Sequence, residues 1–350
     1  MRRLTATAAV LTAVALTIAG CGSGDTPDTA PTSSQTPAAE PANAPETNGS
    51  VPGTVVPIDG SPEGIVIGAS GVAAVALRDP DTLALVDATT GRTTGVVPTD
   101  GAARHLSLAG PDGPVLAPLE QSDTLAVVSL PGGEVESIAT GVGRQPHDAV
   151  QTSDGTIAVT NEMGGGAIFV RDGVVVASLP PGPVQPGGAA AVGARAVFAD
   201  VQGNGIFVYD GPRTTEVGSA PIGTKLTHVV ALGPDSDVVA LADTDGGKVE
   251  LVRISGEPVQ IDQIATVDAP GTPYGLAADP ERRRLYVTET ATNSMLVVDV
   301  ADPAAPRVVG SVPTVRQPNS LAVDPRTGGV IVTGTADRQL QVLSLQDVLG

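Results

Sequence analysis

Seven segments of this 350-residue chain open on a similar short pattern, and successive starts lie 40 to 46 residues apart. In register they begin Ser61-Pro62-Glu63, Ala103-Arg104-His105, Gln145-Pro146-His147, Gln185-Pro186-Gly187, Leu226-Thr227-His228, Thr272-Pro273-Tyr274 and Gln317-Pro318-Asn319. A period near 40, with several short apolar runs per unit, predicts a β-propeller. No long segment carries a helical apolar period. The expected fold is all-β: a seven-bladed propeller of four-stranded antiparallel blades.

In the first unit the strands are expected at Gly64–Ile67, Val72–Leu77, Thr82–Asp87 and Gly95–Thr99, running from the axis outward. Gly, Asp and Pro clusters separate them, as hairpin turns require. The last unit offers only Ser320–Val323, Val330–Thr333 and Leu340–Leu345. Its fourth strand must come from elsewhere, and Thr54–Ile58 is a spare β run just ahead of unit one. Pro57 lacks an N–H, which an outermost strand can spare. That segment is expected to close the ring. Aromatic residues make up only 2% of the chain and Trp is absent, so blades must pack through Val, Leu, Ile and Ala.

The N-terminus reads differently. Arg2 and Arg3 precede an apolar run from Ala8 to Ile18, which leads into Ile18-Ala19-Gly20-Cys21. Charged, apolar, then small is the order of a secretory signal, and the run is too short for a permanent membrane span. The Ile-Ala-Gly-Cys ending resembles the bacterial lipobox. That resemblance implies a lipidated Cys21, cleavage before it, and attachment to the extracytoplasmic side of the cell membrane. Cys21 is the sole cysteine, so no disulfide is possible within the chain. Residues 22 to 53 are rich in Pro, Thr, Ser and Ala and read as a flexible tether. The expected organisation is signal peptide 1–20, tether 21–53 and propeller 54–350.

The formal charge is −19, and loss of Arg2 and Arg3 with the leader leaves −21. Such a surface repels nucleic acid and anionic lipid head groups. Partners are expected to be a small molecule or an extracytoplasmic protein, with the membrane reached through the Cys21 lipid alone. The chain is expected to act as a monomer.

The sixth unit is the most regular. Thr272-Pro273-Tyr274-Gly275-Leu276-Ala277-Ala278-Asp279-Pro280 leads into Leu285-Tyr286-Val287-Thr288-Glu289 and then Met295-Leu296-Val297-Val298-Asp299. This resembles the YVTN-type propeller repeat, whose pattern is Pro-x-Gly-Leu-Ala-Val-Asp-Pro, Leu-Tyr-Val-Thr-Asn, then Val-x-Val-Ile-Asp. The resemblance spans residues 54–350 and extends to Ile157-Ala158-Val159-Thr160-Asn161. It implies the fold but no particular function, because propellers of this type include binding proteins, scaffolds and enzymes.

Alternation of strand direction places two sets of residues at one mouth of the central channel. The position leading into the innermost strand supplies Glu63, His105, His147, Gly187, His228, Tyr274 and Asn319, and it holds every histidine of the chain. The position ending the second strand supplies Arg78, Glu120, Asn161, Asp200, Asp243, Glu289 and Gly334.

Three readings follow. The polar rings suit capture of a ligand or partner, with no catalytic residue required. His105, His147 and His228 could instead converge on Zn or Cu, or an Asn/Asp/Glu set on Ca. The mouth is similar in layout to propellers of the gluconolactonase type, which implies metal-dependent lactone hydrolysis. A lyase is the third reading: Pro146-His147-Asp148 and Tyr286-Val287-Thr288-Glu289 resemble motifs of the virginiamycin B lyase family. Here the two motifs stand in separate, non-adjacent units and the family's tryptophans are missing. A histidine after that proline is also common in YVTN-type repeats and can serve only to bond a neighbouring blade. Binding at the mouth is the function expected; a metal-dependent hydrolase or lyase is the alternative. Asp243-Thr244-Asp245-Gly246-Gly247 has the look of a calcium loop but lacks the downstream glutamate spacing.

Overall fold

The computed structural model describes residues 38–349 apart from 48 and 204. The leader, Cys21 and the first part of the expected tether lie outside the described residues. Seven four-stranded antiparallel sheets stand around a central axis. Their innermost strands are Ser61–Ile67, Ser107–Leu108, Pro146–Gln151, Pro186–Val192, Leu226–Ala231, Pro273–Asp279 and Pro318–Val323. The lone described helix is Leu345–Leu349, and Ser344 and Asp347 cap it reciprocally.

The spare N-terminal run closes the ring as expected. Thr54–Pro57 lies antiparallel to Gln339–Leu343, with Thr54 opposite Val342 and Pro57 opposite Gln339. It is the outermost strand of blade seven, whose other three strands come from the C-terminal end of the chain. Ile58 follows it into the core between blades seven and one.

Apolar side chains gather in seven buried clusters, and each cluster joins two neighbouring blades. Small residues dominate these gaps. Ala74, Ala117, Ala158, Ala196 and Ala240, all on second strands, are fully buried. Larger rings fill the gap between blades three and four, where Phe169, Phe198 and Tyr209 pack together.

In six blades the ring residue sits inside the innermost strand, at a break in register, and in blade two His105 lies just ahead of it. The ladder slips between Pro62 and Ile65, Pro146 and Ala149, Pro186 and Ala189, Leu226 and Val229, and Pro273 and Leu276. A β-bulge adds a residue on one strand and re-aims its side chain. Blade two shows the same interruption as an isolated bridge, Ala103 to Leu119, ahead of Ser107.

The bulge explains the Thr of the YVTN pattern. Thr160, Thr288 and Thr333 accept the backbone N–H of Asp148, Gly275 and Ser320, a donor that the bulge frees from the ladder. It also explains the glycine after the ring position. A Cβ on Gly64 would lie 2.7 Å from the Arg104 carbonyl oxygen, and one on Gly188 would lie 2.8 Å from the His228 Cα. In blades one, four and six the bulge therefore nests against the backbone of the following blade.

Deleting Thr54–Ile58 removes one strand and a buried isoleucine and bares the edge of Gln339–Leu343. The expected loss is ~2–4 kcal/mol, or roughly 5–10 °C in melting temperature. Size-exclusion chromatography of the same variant should show concentration-dependent association through the bared edge. An unchanged melt and elution would contradict closure by this strand.

Candidate functional site

The bulges turn the ring residues toward the axis, and there the three histidines meet. The His105 ring lies 4.4 Å from that of His147, edge to face, and 4.2 Å from that of His228. Tyr274 continues the series, 4.4 Å from His228. Four blades thus contribute one cluster, which fills the axis beneath the mouth.

Each histidine has a different partner set. His105 Nδ1 donates to Asp148 Oδ2 at 3.2 Å, and His147 Nδ1 donates to Glu162 Oε2 at 2.9 Å. Glu162 also accepts Gln185 Nε2 at 2.8 Å. Among the described residues, His105 Nε2 and His228 Nδ1 are buried without a hydrogen-bond partner. Burial, then the neighbouring imidazoles, hold His105 and His228 below the ordinary 6.5, His228 by a wide margin. The Asp148 hydrogen bond opposes that fall at His105. Both rings are neutral near pH 7. Burial would raise the Glu162 carboxyl, but the His147 charge and the hydrogen bonds from His147 and Gln185 hold it down to about 2.

Arg104 precedes His105 in the ring segment. Burial opposes its charge, but Tyr274, Glu63, Glu40 and Glu120 outweigh burial and keep the guanidinium protonated. Arg78 donates to Glu120 Oε2 at 2.6 Å and stands 3.8 Å from Glu63. Asn319 Nδ2 donates to the other Glu63 oxygen at 3.2 Å. Burial pushes the Tyr274 hydroxyl up, so it remains a donor.

The second ring divides. Asp200 accepts the backbone N–H groups of Val184, Gln185 and Gln202. Asp243 accepts those of Thr224, Lys225 and Gly246. Asn161 accepts from Arg144, and Glu289 from Gly271 and Ser294. These four side chains tie down the segment leading into their own blade's innermost strand. With their oxygens so occupied they serve as struts, which departs from the expectation of ligand contacts. Glu120 alone of the acids keeps an oxygen free: its Oε1 is buried with no hydrogen-bond partner among the described residues.

The three histidines pack ring against ring and do not form a gathered ligand set. The set whose ligand atoms converge is Glu120, His147 and Glu162, all buried and all within 4.8 Å of one another. His147 Nδ1 lies 3.7 Å from Glu120 Oε1 and 2.9 Å from Glu162 Oε2. That nitrogen either donates its proton to Glu162 or, deprotonated, offers a lone pair to a cation shared with the two carboxylates.

Asp148 and Glu162 were not among the sequence candidates, yet both break the repeat. Blades one, four and six have Gly64, Gly188 and Gly275 where blade three has Asp148. Its carboxylate accepts the Ala149 and Ala189 N–H groups and the His105 imidazole. Glu162 stands where blades five, six and seven have Thr244, Thr290 and Thr335. A departure from the consensus at an axial position was the available signal.

No protein-family model and no curated protein matches the chain. Solved structures do. A hydrazine synthase structure from Kuenenia stuttgartiensis is 19% identical, with a TM-score of 0.68 over 85% of this chain and 99% of that one. Virginiamycin B lyase from Staphylococcus aureus is 14% identical, with a TM-score of 0.65 over 83% and 98%. The Cps50 (Swd1) propeller domain of Myceliophteria thermophila is 11% identical, with a TM-score of 0.70 over 83% and 98%. At these identities the likeness is one of fold.

Two outcomes follow from the site's construction. Asp243→Ala strands three backbone donors and should cost ~2–4 kcal/mol in urea denaturation, without altering binding at the axis. Acid should also destabilise the fold. Below the ordinary histidine value of 6.5 the unfolded chain takes up protons that the folded chain refuses at His105 and His228. Stability present above that pH should therefore decline between about pH 6.5 and 5. His228→Gln should flatten the decline; a fold equally stable across that window would contradict buried neutral histidines.

Proposed function

We propose that this protein is a lipid-anchored, extracytoplasmic propeller that binds a small ligand or protein partner at the histidine-bearing mouth, through a divalent cation held by Glu120, His147 and Glu162. One observation carries the reading: three buried side chains bring ligand atoms within 4.8 Å, and one of those atoms, Glu120 Oε1, lacks a hydrogen-bond partner among the described residues. Buried carboxylates without compensation are costly. Arg78 compensates one Glu120 oxygen, and a cation would compensate the other.

Two carboxylates and one imidazole suit Zn or a similar first-row ion, with open positions for the ligand. Calcium takes more oxygens than this set supplies. Anchoring at Cys21 rests on the Ile18-Ala19-Gly20-Cys21 ending.

A specific feature favours the hydrolase or lyase alternative at the same place. His105 is neutral, its Nδ1–H is held by Asp148, and its Nε2 is unpartnered among the described residues. A carboxylate-oriented imidazole of this kind is a general base. Beside a bound cation it could take a proton from water or from a carbon next to a carbonyl.

Calorimetry with ZnCl2 and MnCl2 on the soluble chain, produced without a histidine tag, tests the reading. One cation should bind per chain, with proton release as His147 gives up its Nδ1 proton. Glu162→Gln and Glu120→Gln should each weaken binding roughly 10- to 100-fold or more, while Asp200→Asn leaves it unchanged. Absence of binding by the parent chain, or equal binding by all variants, would overturn the site. Turnover of lactones or esters lost in His105→Gln, with cation binding retained, would establish the catalytic alternative.

A further inference from the structure

We propose that residues 38–47 are a displaceable lid across the histidine-bearing mouth, closed at rest and lifted when the site is used. The inference rests on the mouth being the binding site argued above. It concerns a segment that composition alone marks as tether.

The strap spans the mouth from one side to the other. On the side of blades six and seven, Ala42 N donates to Thr290 Oγ1 at 2.9 Å and Ala44 N to Gln317 Oε1 at 3.0 Å. Asn293 Nδ2 donates to the Pro45 carbonyl at 2.9 Å, and Arg316 Nε to that of Ala44 at 3.3 Å. On the side of blade two, the Glu40 carboxylate reaches Arg104, the residue before His105, at 3.6 Å. Glu40 also acts electrostatically on Tyr274 of the ring. Ala39 and Ala44 of the strap are buried.

The way the strap is held makes it removable. Its hydrogen bonds to the propeller all involve propeller side chains, and no large apolar residue anchors it. Its two ion pairs, Glu40 to Arg104 and Glu46 to Arg316, use glutamates that are 60% and 85% exposed. Exposed pairs are worth little and are screened by salt. Pro41 and Pro45 keep the segment extended, which lowers the ordering cost of docking and disfavours pairing as a strand. These contacts suffice to close the mouth yet are weak enough to open locally without unfolding a blade.

The closure is partial. A polar groove of about 510 Å³ remains between the strap and blades seven and one, walled by Glu40, Asn43, Ser61 and Asn319. Asn319 also bonds Glu63 at the axis, so the groove borders the proposed site. A ligand entering there would meet the strap as its movable wall.

The test needs no ligand. Diethyl pyrocarbonate acylates neutral imidazole, and mass spectrometry reads the rate at His105, His147 and His228 separately. Three soluble chains are compared: the parent from residue 22, the same chain lacking 38–47, and Glu40→Gln/Glu46→Gln. Acylation at His228 and His105 should rise roughly tenfold without the strap and several-fold in the double substitution. Added NaCl should speed the parent and leave the deletion unchanged. Equal rates in all three chains, with melting temperatures also equal, would overturn the lid. Failure of the cation site shows instead as silent calorimetry with altered acylation, so the two proposals fail separately.

Discussion

The constraint on which everything else depends is face-to-face packing between neighbouring blades. A single four-stranded sheet here has two apolar faces and cannot bury either alone. Seven clusters, one in each gap, bury the faces of the blades, and Ile58, next to the strand that completes blade seven, joins the last of them. Small side chains set the spacing. With Ala and Val in the inner gaps, the innermost strands approach closely enough that Gly64, Gly188 and Gly275 have backbone of the next blade where a Cβ would be. Tight packing at the axis is thus both the source of stability and the reason six side chains can be projected into one small volume.

That volume is chemically crowded. Three imidazoles, a tyrosine, two guanidinium groups and several carboxylates share it, and most are buried. The crowding is tolerated because the charges are paired in sequence around the ring. Asn319 binds Glu63, Arg78 lies between Glu63 and Glu120, and His147 and Gln185 share Glu162. Eight buried side-chain atoms lack a hydrogen-bond partner among the described residues, and four of them, Glu120 Oε1, His105 Nε2, His228 Nδ1 and Arg104 Nε, belong to the two axial rings or to the residue next to His105. Buried polar atoms are seldom left unpaired unless a water, an ion or a substrate completes them. Their grouping at the axis, where backbone satisfies Asp200 and Asp243 and side chains satisfy Glu63 and Glu162, is what separates a site from scaffolding.

The repeat was legible because it is a matter of period and turn chemistry, both of which are local. The ring position and the closing strand could be read for the same reason: Pro57 announced an outer edge, and a three-run seventh unit announced a missing partner. The bulge could not be read, since a one-residue register slip leaves no mark on the apolar alternation until both strands are seen together. Without the bulge, Asn161, Asp200, Asp243 and Glu289 looked equivalent to Glu120, although only their backbone partners distinguish them. Asp148 and Glu162 were visible as departures from the consensus, but a departure has meaning only once its neighbours in other blades are known.

The sequence by itself determined the class, the number of blades, the strand that seals them and the face on which the histidines lie. Those properties follow from short-range periodicity and from residues that can or cannot donate an N–H. Tertiary structure decided which groups touch. His105 comes from blade two, His147 from blade three, His228 from blade five and Tyr274 from blade six, so no spacing along the chain encodes their ring contacts. It also decided that residues 38–47 cross the mouth, because an Ala-Pro-rich segment has no pattern of its own and takes its place from the polar side chains that receive it.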